Sequence, residues 1–224
     1  MNLVAVSLAT PDWSPDPNAF YEYIVGSNGL FIHAQDDRLF AAIPIAPAHV
    51  NNALSRVEPT VSLLIPRVPG ALLRLALESA RRHLPNEAMY QFSHDKYNYV
   101  LRGWTCRMPN ALATPTALAY ENDPRAVIDL HSHGRMSAFF SSTDDADEQG
   151  FRLYVVIGNV DTDRPTIAAR VGVYGHHMSI DPSVIFDDLG PFQKGASRSE
   201  MSPAMIESWT SSDMGIPSTF TAST

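Results

Sequence analysis

The chain has 224 residues, 45% of them hydrophobic and 18% charged, enough to bury one sizeable core and a small second one. Its net charge of −8 and pI of about 5.4 argue against a nucleic-acid backbone as the main partner, because such binders display basic patches that release counterions. One cysteine, Cys106, excludes an intrachain disulfide and a thiolate metal cluster; it is read as a packed thiol.

The first segment runs to about Arg67. Its first twenty residues carry Pro11, Pro15 and Pro17 and read as extended. Gly29–His33 and Leu39–Ile43 are strand-like and flank the turn-prone Gln35–Arg38, which predicts a β-hairpin. A further strand is expected from Thr60 to Ile65. Residues 1–67 thus read as a small β-rich extension, either structural or a docking module. The second segment, 68–192, opens with an apolar helical stretch from Gly70 to Leu84, stopped by Pro85. Strands are predicted near 87–93, 97–104, 126–133, 152–158 and 166–174. Residues 193–224 are rich in Ser, Thr, Pro and Met and read as a flexible tail. No apolar run is long enough to span a bilayer, and Met1–Val4 lacks the basic and apolar regions of a signal peptide; a cytoplasmic location is expected. The chain has no internal repeat, phosphate loop or nucleotide fingerprint.

One stretch names a chemistry. Between Val127 and Asp145 stand His131, His133, Ser141 and Asp144, spaced H-x-H-x7-S-x-x-D. Val127–Leu130 is apolar and β-branched-rich, so the histidines continue a strand as alternate residues and project from one face. Their Cα atoms lie about 6.6 Å apart on a strand, a span two imidazoles close by converging on a metal with bonds of about 2.0–2.1 Å. The serines and threonine of Ser141–Thr143 ahead of Asp144, Asp145, Asp147 and Glu148 suit the first turn of a helix. Ser141 and Asp144 then share a face, and Asp144 can supply the third ligand. Two histidines and a carboxylate leave a fourth tetrahedral position open, as in catalytic zinc sites.

With that motif the chain resembles the JAMM, or MPN+, metalloproteases, which cleave peptide or isopeptide bonds at the C-terminus of ubiquitin and ubiquitin-like proteins. The likeness covers roughly residues 70–175. It implies an α/β (α+β) fold, a JAMM/MPN-like mixed β-sheet flanked by helices, and one Zn2+ per chain held by His131, His133 and Asp144. It also implies an upstream glutamate as general base, for which Glu87 is the candidate; Glu121, in the loop-like Tyr120–Pro124, is the alternative. Ser141 takes the part of hydrogen-bond donor to the developing oxyanion. Family members commonly have proline after the second histidine, where this chain has Gly134. The bacterial branch, in particular that of PRTRC plasmid-associated systems, is the most similar. That branch implies a ubiquitin-like protein as substrate and an E1-like protein as a second partner.

Other readings stay beside this one: a metal-free scaffold of the same fold, or a zinc peptidase acting on small peptides or sulfur-carrier precursors. His176 and His177, adjacent on a strand, point to opposite faces and cannot easily share a metal. His94 is expected in solvent, and His83 at the C-terminal dipole of its helix. Asp145, Asp147 and Glu148 read as a solvated acidic face. Met136, Phe139 and Phe140 are expected to pack in the core or line a substrate subsite.

Overall fold

The computed structural model describes residues 4–16, 18–50, 53–95, 103–107 and 125–195. Its first sheet has five strands in sequence order: β1 (Val4–Leu8), β2 (Tyr21–Gly26), β3 (Gly29–Gln35), β4 (Leu39–Pro47) and β5 (Thr60–Leu63). The expected hairpin is β3–β4, paired from His33↔Ala42 to Gln35↔Phe40 around the Asp36–Arg38 turn. Asp36 closes that turn by accepting from the Arg38 and Leu39 amides, the local bonding that favours aspartate in turns. β2 is not among the strands read from sequence, because the buried Glu22 interrupts its apolar pattern.

The helix α1 spans Gly70–His83 and sinks Leu73, Ala76, Leu77 and Ala80 into the core, which is the i, i+3, i+4, i+7 spacing of an amphipathic helix. His83 lies in its last turn with Nδ1 2.8 Å from the Ser79 carbonyl. Six longer strands and one short one follow: β6 (Met89–Asp95), β7 (Gly103–Arg107), β8 (Ala126–Ser132), β9 (Arg152–Gly158), β10 (Thr166–Val173), β11 (His176–Ile180) and β12 (Gln193–Lys194). Their order is β11-β10-β9-β8-β6-β7, with β12 alongside β10. Residues 193 and 194, read from sequence as the start of a tail, therefore extend this sheet; residues 196–224, the remainder of that expected tail, lie outside the described residues.

Among the described pairs of this second sheet, only β8–β9 and the short β10–β12 run parallel. A parallel neighbour needs a crossover, and α2 (Ser142–Asp147) lies within the one that joins β8 to β9. The mixed sheet with its two helices is the α+β architecture expected. The β-branched and aromatic side chains of β6, β8, β9 and β10, the apolar face of α1, and Ile32, Ala34, Leu39, Ala41 and Ile43 of the first sheet form a single buried cluster. Glu121, with the rest of residues 108–124, lies outside the described residues.

Alternation along β8 sends Leu130 into that core and turns His131 to the opposite face. Asp129 shares the histidine's face. It accepts from Gln91 Nε2 at 3.0 Å and from Arg152 at 2.7 Å, which ties β6, β8 and β9 together two residues below the ligand pair.

Candidate metal centre

His131 is the penultimate residue of β8, and His133 follows one residue past the strand's end. The chain stays against β9 there because the His133 amide donates to the Ile157 carbonyl at 2.8 Å. Gly134 then turns with φ of 56°, in the left-handed region that glycine adopts freely. Proline, fixed near −65°, cannot occupy this backbone, which suits the glycine found here. The loop returns across the end of β9, where Gly158 lets it lie flat. A Cβ there would meet the Met136 carbonyl oxygen at 2.3 Å and the Ala138 nitrogen at 2.4 Å.

Ser141 is the N-cap of α2 and Asp144 its third residue, joined in a reciprocal capping box. The Ser141 amide donates to Asp144 Oδ2 at 2.6 Å, the Ser141 hydroxyl to the same oxygen at 2.7 Å, and the Asp144 amide to Ser141 Oγ at 3.2 Å. Asp144 Oδ1 remains turned toward His131, 3.3 Å from its Nε2. The two histidine Nε2 atoms face each other at 3.1 Å.

Three ligand atoms of His131, His133 and Asp144 thus lie within 4.8 Å of one another. Donors about 2.0–2.1 Å from a tetrahedral zinc stand about 3.3 Å apart, so the two closest separations have the length that a shared metal imposes. Burial pushes His131 down to about 4, against the pull of Asp144 and with His133 and Arg170 acting in the same direction as burial. The ring is neutral at pH 7, and a neutral imidazole is the form that binds a metal. Asp144 is held below the usual carboxylate range: burial raises it, but His131 and the hydrogen bonds from Ser141 outweigh burial. Nitrogen lone pairs and a carboxylate pointed at one spot repel unless a cation or proton lies between them, and this donor set fits a divalent metal. Phe139 packs edge-on against His133, ring centres 4.6 Å apart.

Glu87 is exposed and precedes β6 by two residues. The Ala88 amide donates to Ser132 Oγ at 2.9 Å, and the Ser132 amide donates to the Ala88 carbonyl at 2.9 Å. Met89 pairs with His131; continuing that antiparallel register by two residues sets Glu87 opposite His133, at the metal end of the sheet.

Several residues differ from expectation. Glu148 is not on a solvated face: it is 11% exposed in its side chain and held by Arg170, and burial pushes it up to about 8 even so. His94 lies within β6, half-buried. Met136 is exposed, whereas Phe140 lies under the Arg170 guanidinium. Sequence reasoning missed Ser132 and Arg170. The signal for Arg170 was a lone charge in the apolar run of β10, where a buried arginine demands partners.

The mixed sheet, the crossover helix and this donor set define an α+β domain with a His-His-Asp cluster that could hold a metal ion. Residues 69–171 match the family described as prokaryotic homologs of the JAB domain, so this stretch is a JAB/MPN-type domain. A search of curated proteins returned no match.

Proposed function

We propose that the protein is a zinc-dependent peptidase or isopeptidase that hydrolyses the bond at the C-terminus of a ubiquitin-like protein. The observation that carries the reading is the convergence of His131, His133 and Asp144 at the end of β8, within a JAB domain. A divalent metal bound to these three residues would supply Lewis acidity, bringing water to a near-neutral pKa and polarising the scissile carbonyl.

The remaining chemistry belongs to the chain. Glu87, in register with His133, takes a proton from the attacking water and returns it to the leaving amine as the C–N bond breaks. Asp144 is presented by one oxygen and anchored by the other, so it needs little rearrangement to serve as a ligand. The one hydroxyl proton of Ser141 is given to Asp144, so donation to an oxyanion requires that hydroxyl to rotate. Substrate class and an E1-like second partner rest on the resemblance to the bacterial, PRTRC-type branch; an extended C-terminal tail would bind as an added strand, with main-chain bonds supplying affinity.

The test is metal content by elemental analysis, wild type beside His131→Ala, followed by cleavage of ubiquitin-like fusions by wild type and Glu87→Gln. The reading expects one zinc per chain, lost in His131→Ala, and Glu87→Gln that keeps zinc but loses about 10²–10⁴-fold in rate. Zinc absent from both proteins after reconstitution would favour the scaffold alternative; full turnover in Glu87→Gln would remove Glu87 as the base.

A further inference from the structure

We propose that Arg170 is a positioning residue for the metal centre: it clamps the ligand-bearing helix α2 to the sheet and thereby sets where Asp144 points. The inference rests on the metal-binding reading above and concerns a residue on β10, a strand that carries none of the ligands.

The need for a clamp follows from α2 itself. The helix is six residues long and contributes no buried residue. Helices this short are unstable alone, and most helical stability in proteins comes from packing an apolar face, which α2 does not have. Its capping box fixes Asp144 relative to Ser141 but not the helix relative to the sheet. Something outside the helix must do that.

Arg170 is placed to do so. It is 4% exposed, and its Nη1 donates to Asp145 Oδ1 at 2.5 Å while Nε donates to Glu148 Oε2 at 2.8 Å. Nη2 lies 2.7 Å from the same Glu148 oxygen. The guanidinium carbon sits 4.1 Å from the centre of the Phe140 ring, within cation–π range. Phe140 immediately precedes Ser141, and Asp145 immediately follows Asp144. One planar group therefore grips both flanks of the Ser141–Asp144 box and the helix's C-cap. From β11, His177 Nε2 adds a contact to the Glu148 carbonyl at 2.8 Å.

The chemistry argues for position over bulk stability. A buried ion pair is often no more stabilising than well-packed apolar residues of the same volume, whereas it fixes geometry through directional bonds. Arginine's rigid fork does this where lysine's single ammonium cannot. Groups that orient metal ligands commonly contribute 10–100-fold to metal affinity.

The experiment uses full-length protein stripped of metal, Zn2+ in competition with a chromogenic chelator, and Co2+ as a spectroscopic probe of ligand geometry. The variants are Arg170→Lys, which keeps the charge, and the double variant Arg170→Met with Glu148→Gln, which leaves no buried carboxylate at position 148 unpaired. Metal-induced stabilisation is read within each protein, so that any general loss of stability cancels. The clamp predicts zinc affinity 10–100-fold weaker in the double variant, an intermediate loss in Arg170→Lys, and an altered cobalt spectrum in both. Wild-type affinity and spectrum in Arg170→Lys and in the double variant, with only a lower melting temperature, would reduce Arg170 to a structural role and overturn the inference while leaving the metal site standing. If the double variant does not fold, Arg170→Lys decides. Wild type that takes up neither metal overturns the metal reading and the clamp with it.

Discussion

Ser141 holds Asp144 by one carboxylate oxygen while the other faces His131: Oδ2 receives the Ser141 amide and hydroxyl, and Oδ1 lies 3.3 Å from Nε2. The serine is thus both helix cap and anchor of the candidate ligand Asp144. Ser141→Ala is expected to lower stability by about 1 kcal/mol through loss of the cap and to weaken zinc binding by about tenfold through loss of the anchor. Melting of the metal-free variant checks the first effect and chelator competition the second. Zinc affinity equal to wild type would confine Ser141 to capping and catalysis.

Gly158→Ala tests the loop that joins ligand strand to ligand helix. Its Cβ would meet the backbone of Met136, Ser137 and Ala138 at 2.3–2.4 Å, and backbone cannot yield as a flexible side chain can. Overpacking of this kind costs roughly 1–3 kcal/mol. The expected result is a lower melting temperature together with reduced metal occupancy, since the displaced loop carries Phe139 away from His133. Unchanged occupancy at a lowered melting temperature would show that the loop moves without disturbing the ligands.

His33 gives the metal-free protein a dependence on pH. It lies 5% exposed on β3, opposite Glu22 on β2, which is itself 1% exposed. Burial lowers the His33 pKa below 6.5, with Glu22 pulling the other way. Above pH 6.5 neither the folded nor the unfolded state holds this proton, and the contribution to stability is complete. As pH falls below 6.5 the unfolded chain takes up a proton that the folded chain resists, so stability is lost down to the lowered folded value. His131 acts with the same sign; the diagnostic quantity is therefore the difference between wild type and His33→Gln. Melting temperatures from pH 8 to pH 5 should converge on the acid side, and parallel curves would rule His33 out.

The candidate ligand set was legible because its members sit within fourteen residues and their geometry is local. A strand's alternation aims His131 and His133 alike, and a helix cap's chemistry joins Ser141 to Asp144. α1 and the central strands β8, β9 and β10 were equally open to reading, since long periodic apolar runs have few alternatives. β2 and β11 were not. Glu22 breaks the pattern of the first, and its burial is made tolerable by Ser7, Trp13 and the Asp16 amide, partners that lie outside the strand itself. The second opens on His176 and His177, whose polar pair hides the extent of a strand that the pairing with β10 defines.

Residue identity and short-range geometry were enough to specify the donor chemistry and the elements that carry it, because strand pleat and helix capping act over a few residues. How α2 is oriented, and what faces the end of β8 from β6, depend on contacts between segments far apart in the chain. Glu87 is brought opposite His133 only by continuing the β6–β8 register, and Arg170, twenty-six positions beyond Asp144, reaches Asp145 and Glu148 only in the folded sheet. Such pairings are settled by the packing of the common core, in which each strand's register is chosen by the burial of all its neighbours at once.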